Sequence, residues 1–221
     1  MNSIAANHHH ILERIRQAAS RAGRDADSVQ LIAVTKTVSV ERIQEAASCG
    51  ITHIGENRVQ EALAKREALA SAGLTWHFIG HLQTNKAKKV AENFDCVDSI
   101  DRLEAAEALA RYVSGRPRLP VLIEVKLKDE PNKSGAAEEE LPALVSAIQR
   151  IESLELRGLM AVPPPVENPE DARPWFRRLR ELAENFGLAE LSMGMTHDFE
   201  IAVEEGATMV RIGTGLFGER R

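Results

Sequence analysis

Residues 31–39, LIAVTKTVS, carry four apolar residues into Thr35 and then Lys36. A lysine almost never lies in a core unpaired. At the end of a buried strand, with an apolar wall behind it, its amine is placed to attack a carbonyl. The alternative is a side chain running out to solvent. Two glycine-bearing stretches suit an anion: LSMGMTHDFE at 191–200 and VRIGTGLFGER at 210–220. Each reads as a strand end opening a short helix, where unpaired N–H groups and the helix dipole meet negative charge. Gly194, Gly213 and Gly215 permit close backbone approach, and Ser192 and Thr214 add hydroxyls. Arg211 lies between Val210 and Ile212, so alternation turns it to the opposite face. It either pairs with a carboxylate such as Glu124 or donates to a ligand. A phosphate cradle with an aldehyde-reactive lysine points to pyridoxal 5′-phosphate (PLP). An arginine keeps its proton. Facing the pyridine nitrogen, Arg211 would leave the ring a weak electron sink, in a site that binds PLP well and catalyses poorly. Glutamate at 211 is expected to raise carbanion reactivity.

These residues act together only if distant strand ends meet. Strand-like runs fall at 29–34, 52–55, 75–80, 95–100, 120–127, 154–162, 189–194 and 208–213. Helical patterns lie between them, and Gly50, Gly73, Gly115, Gly187 and Gly206 stop five of these. A further helix is predicted first, over 11–22. Alternating strands and helices imply a parallel sheet, and eight units imply a (β/α)8 TIM barrel, here one domain over 1–221 with an extra N-terminal helix. The runner-up, an open doubly wound sheet, lacks its GxGxxG turn. In the barrel, chemistry collects at the C-terminal strand ends, with phosphate after strands seven and eight. Lys36 ends strand one; the glycine turns end strands seven and eight.

The formal net charge of -5, with 43% hydrophobic and 28% charged residues, fits an ordinary soluble globular chain and gives no support to nucleic-acid binding. No apolar run reaches the ~18 residues that span a membrane. The stretch MNSIAANHHHILERIRQAA lacks the regions of a signal peptide, so a cytoplasmic location is expected. Cys49 and Cys96 read as buried reduced thiols. His8, His9 and His10 cannot share a helix face, which argues against a metal site.

The motifs AVTKTVS, HIGENRVQEALAK, WHFIGHLQTNKAKKV, VDSIDR, KSG, GLMAV and LSMGMTHDFEIAVEEGATMVRIGTGLFG follow one another over nearly the whole chain. Together they resemble the PLP homeostasis proteins, also called the proline synthetase co-transcribed homologue family. The resemblance implies the fold of the alanine racemase N-terminal barrel. It implies PLP held as an internal aldimine (a Schiff base), with no firmly established catalysis. It implies a role in vitamin B6 pools, and indirectly in amino-acid and keto-acid metabolism. Matched position by position, it makes Lys36 the aldimine lysine and Ser192 the phosphate serine, with backbone help near Met193. Gly213 and Thr214 join the phosphate site, Arg211 is the pyridine partner, and Asn57 and Met160 line the cofactor. Val38 stands where many relatives have a second lysine, and Thr196 where many have serine. Lys133 of NKSG is in place as a candidate second acceptor.

Three functions follow from this reading. The first is a PLP carrier or reservoir serving PLP-requiring apoenzymes, expected to be a monomer and not an enzyme. The alternative is a weak PLP-dependent amino-acid racemase. Racemisation needs a proton-transfer group on each face of the cofactor. The single tyrosine, Tyr112, falls in a surface-like helix, and His81 is the best substitute, although it is expected to bond loop backbone. A sugar-phosphate aldolase would use Lys36 without PLP, but no carboxylate is evident beside it.

Overall fold

The computed structural model describes residues 3–115, 117–128 and 134–218. Eight parallel strands close into a barrel in sequence order. They are β1 (Gln30–Val34), β2 (His53–Glu56), β3 (Thr75–Phe78), β4 (Cys96–Ile100), β5 (Leu119–Glu124), β6 (Leu154–Met160), β7 (Glu190–Met195) and β8 (Met209–Ile212). Every expected strand is present, trimmed or shifted at its ends. Pairing of β1 with β8, Ile32 opposite Arg211, closes the ring.

The surrounding helices are α1 (Ile4–Arg21), α2 (Val40–Ser48), α3 (Val59–Arg66), α4 (Ala87–Asn93), α5 (Leu103–Ala110), α6 (Leu141–Gln149), α7 (Arg173–Asn185), α8 (Phe199–Glu204) and α9 (Thr214–Phe217). Helix α1 starts well before the expected residue 11. Ser3 caps it by accepting from the Ala6 N–H, and Ile4 continues the buried stripe of Ile11, Ile15 and Ala18. The three histidines are therefore helical. His8 bonds the Cys49 carbonyl through Nδ1, while His9 and His10 face solvent. The helical pattern after β2 runs to Gly73 in the sequence. Helix α3 stops at Arg66, and a 3₁₀ turn over Ala70–Ala72 leads into Gly73 at φ 63°.

Two apolar layers result. Outward-facing strand residues such as Leu31, Ala33, Ile54, Val210 and Ile212 pack under the helices. A small separate cluster of Ile32, Leu122, Met160 and Met209 lies inside the ring. The rest of the interior is polar, with His77, Asp98, Ser192 and Arg211 all buried. That departs from the bulky aliphatic filling usual in this barrel. Among the described residues no helix is long and apolar enough to cross a membrane. Cys49 and Cys96 are free but only half-buried, not buried as expected. Burial, chiefly, pushes the Cys96 thiol up to about 12.

Helix α7 is tied to the end of α8 through Glu205. This carboxylate meets Arg173 at 3.1 Å, Arg177 at 2.9 Å and Arg180 at 3.4 Å. Burial raises the Glu205 pKa, but the hydrogen bonds from Arg177 and Arg173 outweigh it and hold the group below its ordinary value of 4.5. Its contribution is therefore present above that value and lost as pH falls through the lower folded-state value. Glu205→Gln is expected to cost about 1–2 kcal/mol at neutral pH, discounted for the partly exposed arginines. Urea unfolding checks this: the gap between the two proteins should narrow below the ordinary glutamate range, and a constant gap would contradict it.

Candidate functional site

Lys36 follows β1 after one residue, in a turn closed by the Val38 N–H donating to the Thr35 carbonyl at 3.0 Å. Along β1, Ile32 faces the barrel interior, and Lys36 comes just past the C-terminal end of the strand, where the mouth of the barrel lies. Lys36 is half-buried. Thr37 has φ 61°, the one non-glycine residue in the left-handed region among those described. A β-branched residue there is strained, at roughly 1–3 kcal/mol, and persists only if its surroundings hold it.

A buried polar network holds it. Lys65 of α3 donates from Nζ to the Thr35 carbonyl at 2.8 Å, to Glu56 Oε1 at 2.7 Å and to Glu61 Oε1 at 2.7 Å. Glu61 also accepts the Thr37 N–H. The Thr35 hydroxyl donates to Glu56 at 2.7 Å. Burial raises the Glu56 pKa against the lowering bonds from Lys65 and Thr35, and its Oε2 is buried without a partner. None of these three charged residues stood out in the sequence. The one available signal was a lysine at a helical spacing shared with Val59 and Ala62, both buried.

Arg211 points into the barrel from β8, as alternation required, but its partners differ from the carboxylate considered. Its Nη1 donates to the Ser192 carbonyl at 2.6 Å and the Ser192 hydroxyl oxygen at 2.7 Å. Its Nη2 donates to the Ala161 carbonyl at 2.8 Å. Glu124 instead accepts from Ser134 at 3.0 Å. Burial pushes the Arg211 pKa down, opposed by Asp98, Glu124 and Asp198. Ser192 is fully buried, and its hydroxyl proton is left to donate. Met160, the last residue of β6, belongs to the inner cluster. The Met193 side chain packs outward under the helices, which leaves only its backbone near the mouth.

Gly213 caps the four-residue α9, and the exposed Thr214 hydroxyl lies 3.4 Å from that of Thr196. The Gly215 N–H donates to the Thr196 hydroxyl at 3.2 Å. A Cβ on Gly194, at φ 89°, would meet the Ala202 Cβ at 2.5 Å and the Phe199 Cα at 3.0 Å. Gly194→Ala is accordingly expected to destabilise by about 2–4 kcal/mol. A wild-type urea midpoint would contradict that. Asn57 follows β2 directly, and its Oδ1 is buried with no hydrogen-bond partner. Lys133 lies outside the described residues.

His81 is half-exposed and approaches Asp101 at 3.0 Å, rather than the loop backbone expected. Tyr112 is exposed in the turn after α5. At the opposite end of the barrel, a cavity of ≈ 270 Å³ is lined by Gln30, His53, His77, Cys96, Arg157 and Glu190, among others. Beneath it His53 Nδ1 meets His77 Nε2 at 2.9 Å, and His77 Nδ1 meets Asp98 at 3.1 Å. Burial lowers the His77 pKa, but Asp98 outweighs burial and holds it above 6.5.

The C-terminal mouth thus gathers a half-buried lysine, a fixed buried arginine, an orphaned amide oxygen and close-packed glycine turns. This constellation fits PLP: an amine for its aldehyde, a cation for its ring nitrogen and close backbone for its phosphate. Barrel and site together define the alanine racemase N-terminal domain, whose family model matches residues 7–221. Within that class the chain belongs to the pyridoxal phosphate homeostasis proteins. It is 48% identical to the one from Pseudomonas aeruginosa, over 100% of this chain and 97% of that protein. PipY of Synechococcus elongatus, solved with PLP bound, has a TM-score of 0.83 and 38% identity, over 94% of this chain and 100% of its own. Alanine racemase from Corynebacterium glutamicum shares the fold, at TM-score 0.71 and 19% identity, over 98% of this chain but only 61% of the racemase.

Proposed function

We propose that this chain, acting as one unit over residues 1–221, binds PLP and serves as its carrier or reservoir. The observation that carries this reading is the Lys36 turn, set at the end of β1 and fixed from behind by a buried network. Lys36 supplies the amine that holds the cofactor. Ser192, the Met193 backbone, Gly213 and Thr214 receive the phosphate. Asn57 and Met160 line the ring, and Arg211 faces its nitrogen. Bound there, PLP would supply an amine-capturing aldehyde and an electron-withdrawing ring. The names of the similar proteins and the PLP bound to PipY support the reading.

Holding, not turnover, is the role the residues favour. Arg211 has its proton locked by three acceptors, so it keeps the facing nitrogen unprotonated and the ring a poor sink. Tyr112, the chain's one tyrosine, is exposed in the turn after α5. The cofactor passes to PLP-requiring apoenzymes, and the chain works as a cytoplasmic monomer. The test is a visible spectrum of the purified protein before and after borohydride, with peptide mapping of the reduced adduct. Colour lost on reduction with the label on Lys36 supports the reading. A protein that stays colourless in excess PLP, or a label elsewhere, overturns it. Deuterium exchange at the α-carbon of added amino acids would instead favour the racemase.

A further inference from the structure

The strained turn raises the question of what keeps Lys36 aimed. The residue before it and the residue after it are both tied to one ammonium. Lys65 holds the Thr35 carbonyl directly, and holds Thr37 through Glu61, which takes the Thr37 N–H. Its three donors meet three acceptors, Glu56 being the third. The Lys65 side chain is 9% exposed and that of Glu56 0%. With all three of its donors bonded, the Lys65 ammonium has a single arrangement, while Glu56 keeps one oxygen, Oε2, without a partner. Lys65 therefore transmits the placement of α3 on the barrel to the backbone on both sides of Lys36.

We propose that Lys65, through Glu56 and Glu61, is a positioning residue that orients the Lys36 turn so that its amine reaches the bound aldehyde. The proposal rests on the reading of Lys36 as the covalent anchor and names what controls that anchor. Lys65 touches no part of the ligand. Its effect is selective: it governs covalent capture at Lys36 and leaves unchanged the phosphate contacts, from β7 and the turn after β8, and the ring contacts of Met160 and Arg211; Asn57, next to Glu56, is the ring contact nearest the network.

That selectivity supplies the test. Lys65→Met alone would strand Glu56 as an unpaired buried charge and endanger the fold. The double variant Lys65→Met/Glu56→Gln removes both charges and keeps an acceptor for the Thr35 hydroxyl. Glu61→Ala, at a side chain 21% exposed, releases the Thr37 N–H and one Lys65 donor, while Lys65 keeps Glu56 and the Thr35 carbonyl. Two ligands are compared: PLP, trapped by borohydride and mapped, and pyridoxamine 5′-phosphate, which has the ring and phosphate but no aldehyde. In the double variant, trapping at Lys36 at fixed PLP is expected to fall about tenfold, equivalent to ~1.4 kcal/mol of lost placement. Glu61→Ala should lose less. The dissociation constant for pyridoxamine 5′-phosphate should stay within about twofold of wild type in both, well under ~1 kcal/mol.

A wild-type protein that is not labelled at Lys36 overturns the functional reading and this proposal with it. Wild-type labelling with equal labelling in both variants overturns this proposal alone. A parallel loss of both ligands in the variants shows a general structural support and also overturns it.

Discussion

Lys36→Ala is expected to abolish covalent retention of PLP while leaving the barrel folded. Lys36 sits half-buried in a turn beyond the end of β1, outside the apolar layers. The buried hydrogen bonds of its turn run through Thr35 and Thr37, not through its own side chain. Stability should therefore change by no more than about 0.5 kcal/mol, the range of substitutions away from core features. Borohydride reduction in the presence of PLP should leave no label on the 31–39 peptide, while circular dichroism and the urea midpoint match wild type. Label retained at full yield elsewhere in the barrel would show that the anchor had been misassigned. A collapsed fold would show that Lys36 bears structural weight that its surroundings do not reveal.

Arg211→Glu has the second large effect, and the structure changes what is expected of it. From its place in the strand alone, an acidic residue there promised a stronger electron sink. In the barrel, the guanidinium fills a buried space bounded by the Ser192 and Ala161 carbonyls. A glutamate would set its carboxylate against those acceptor oxygens. It would also face the negative fields of Asp98, Glu124 and Asp198, which now oppose the downward push of burial on Arg211. A buried charge left without its partner costs about 3–5 kcal/mol. The variant is expected to unfold at much lower urea than wild type, so reactivity could be read only in what remains folded. Arg211→Lys retains charge but not the fork that spans two strands, and should fall between. A wild-type midpoint for Arg211→Glu would mean that these carbonyls do not depend on the arginine.

Both predictions turn on one contrast in the site. The bonds that fix the Lys36 turn belong to neighbouring residues and not to its own amine. The guanidinium of Arg211 is spent on β7 and on the residue after β6, holding the last three strands together from inside.

Much of this was legible in the order of residues. Strand runs, glycine stops and the alternation around Arg211 depend on local sterics and on which face is apolar, and those are written in consecutive residues. The eight-unit rhythm led directly to the closed barrel. The barrel in turn put Lys36 and the two glycine turns at the same end. Where reading by pattern failed, the reason was also local. Helix α1 starts ahead of its legible apolar pattern, at a Ser3 cap that the polar histidines mask. Helix α3 ends before its apolar spacing does, because that spacing continues past Arg66 in a different turn geometry.

The sequence by itself determined the barrel and the family, and it set Lys36, the proposed anchor, just past the C-terminal end of β1. Only the tertiary structure decided that Lys65 bonds the Thr35 carbonyl across 30 positions, and that Arg211 is bound to Ser192 and Ala161 rather than to Glu124. The physical reason is that a buried charge is satisfied by whichever acceptor the strand register and helix placement bring within 3 Å. That choice is made between residues far apart in the chain, where periodicity carries no information.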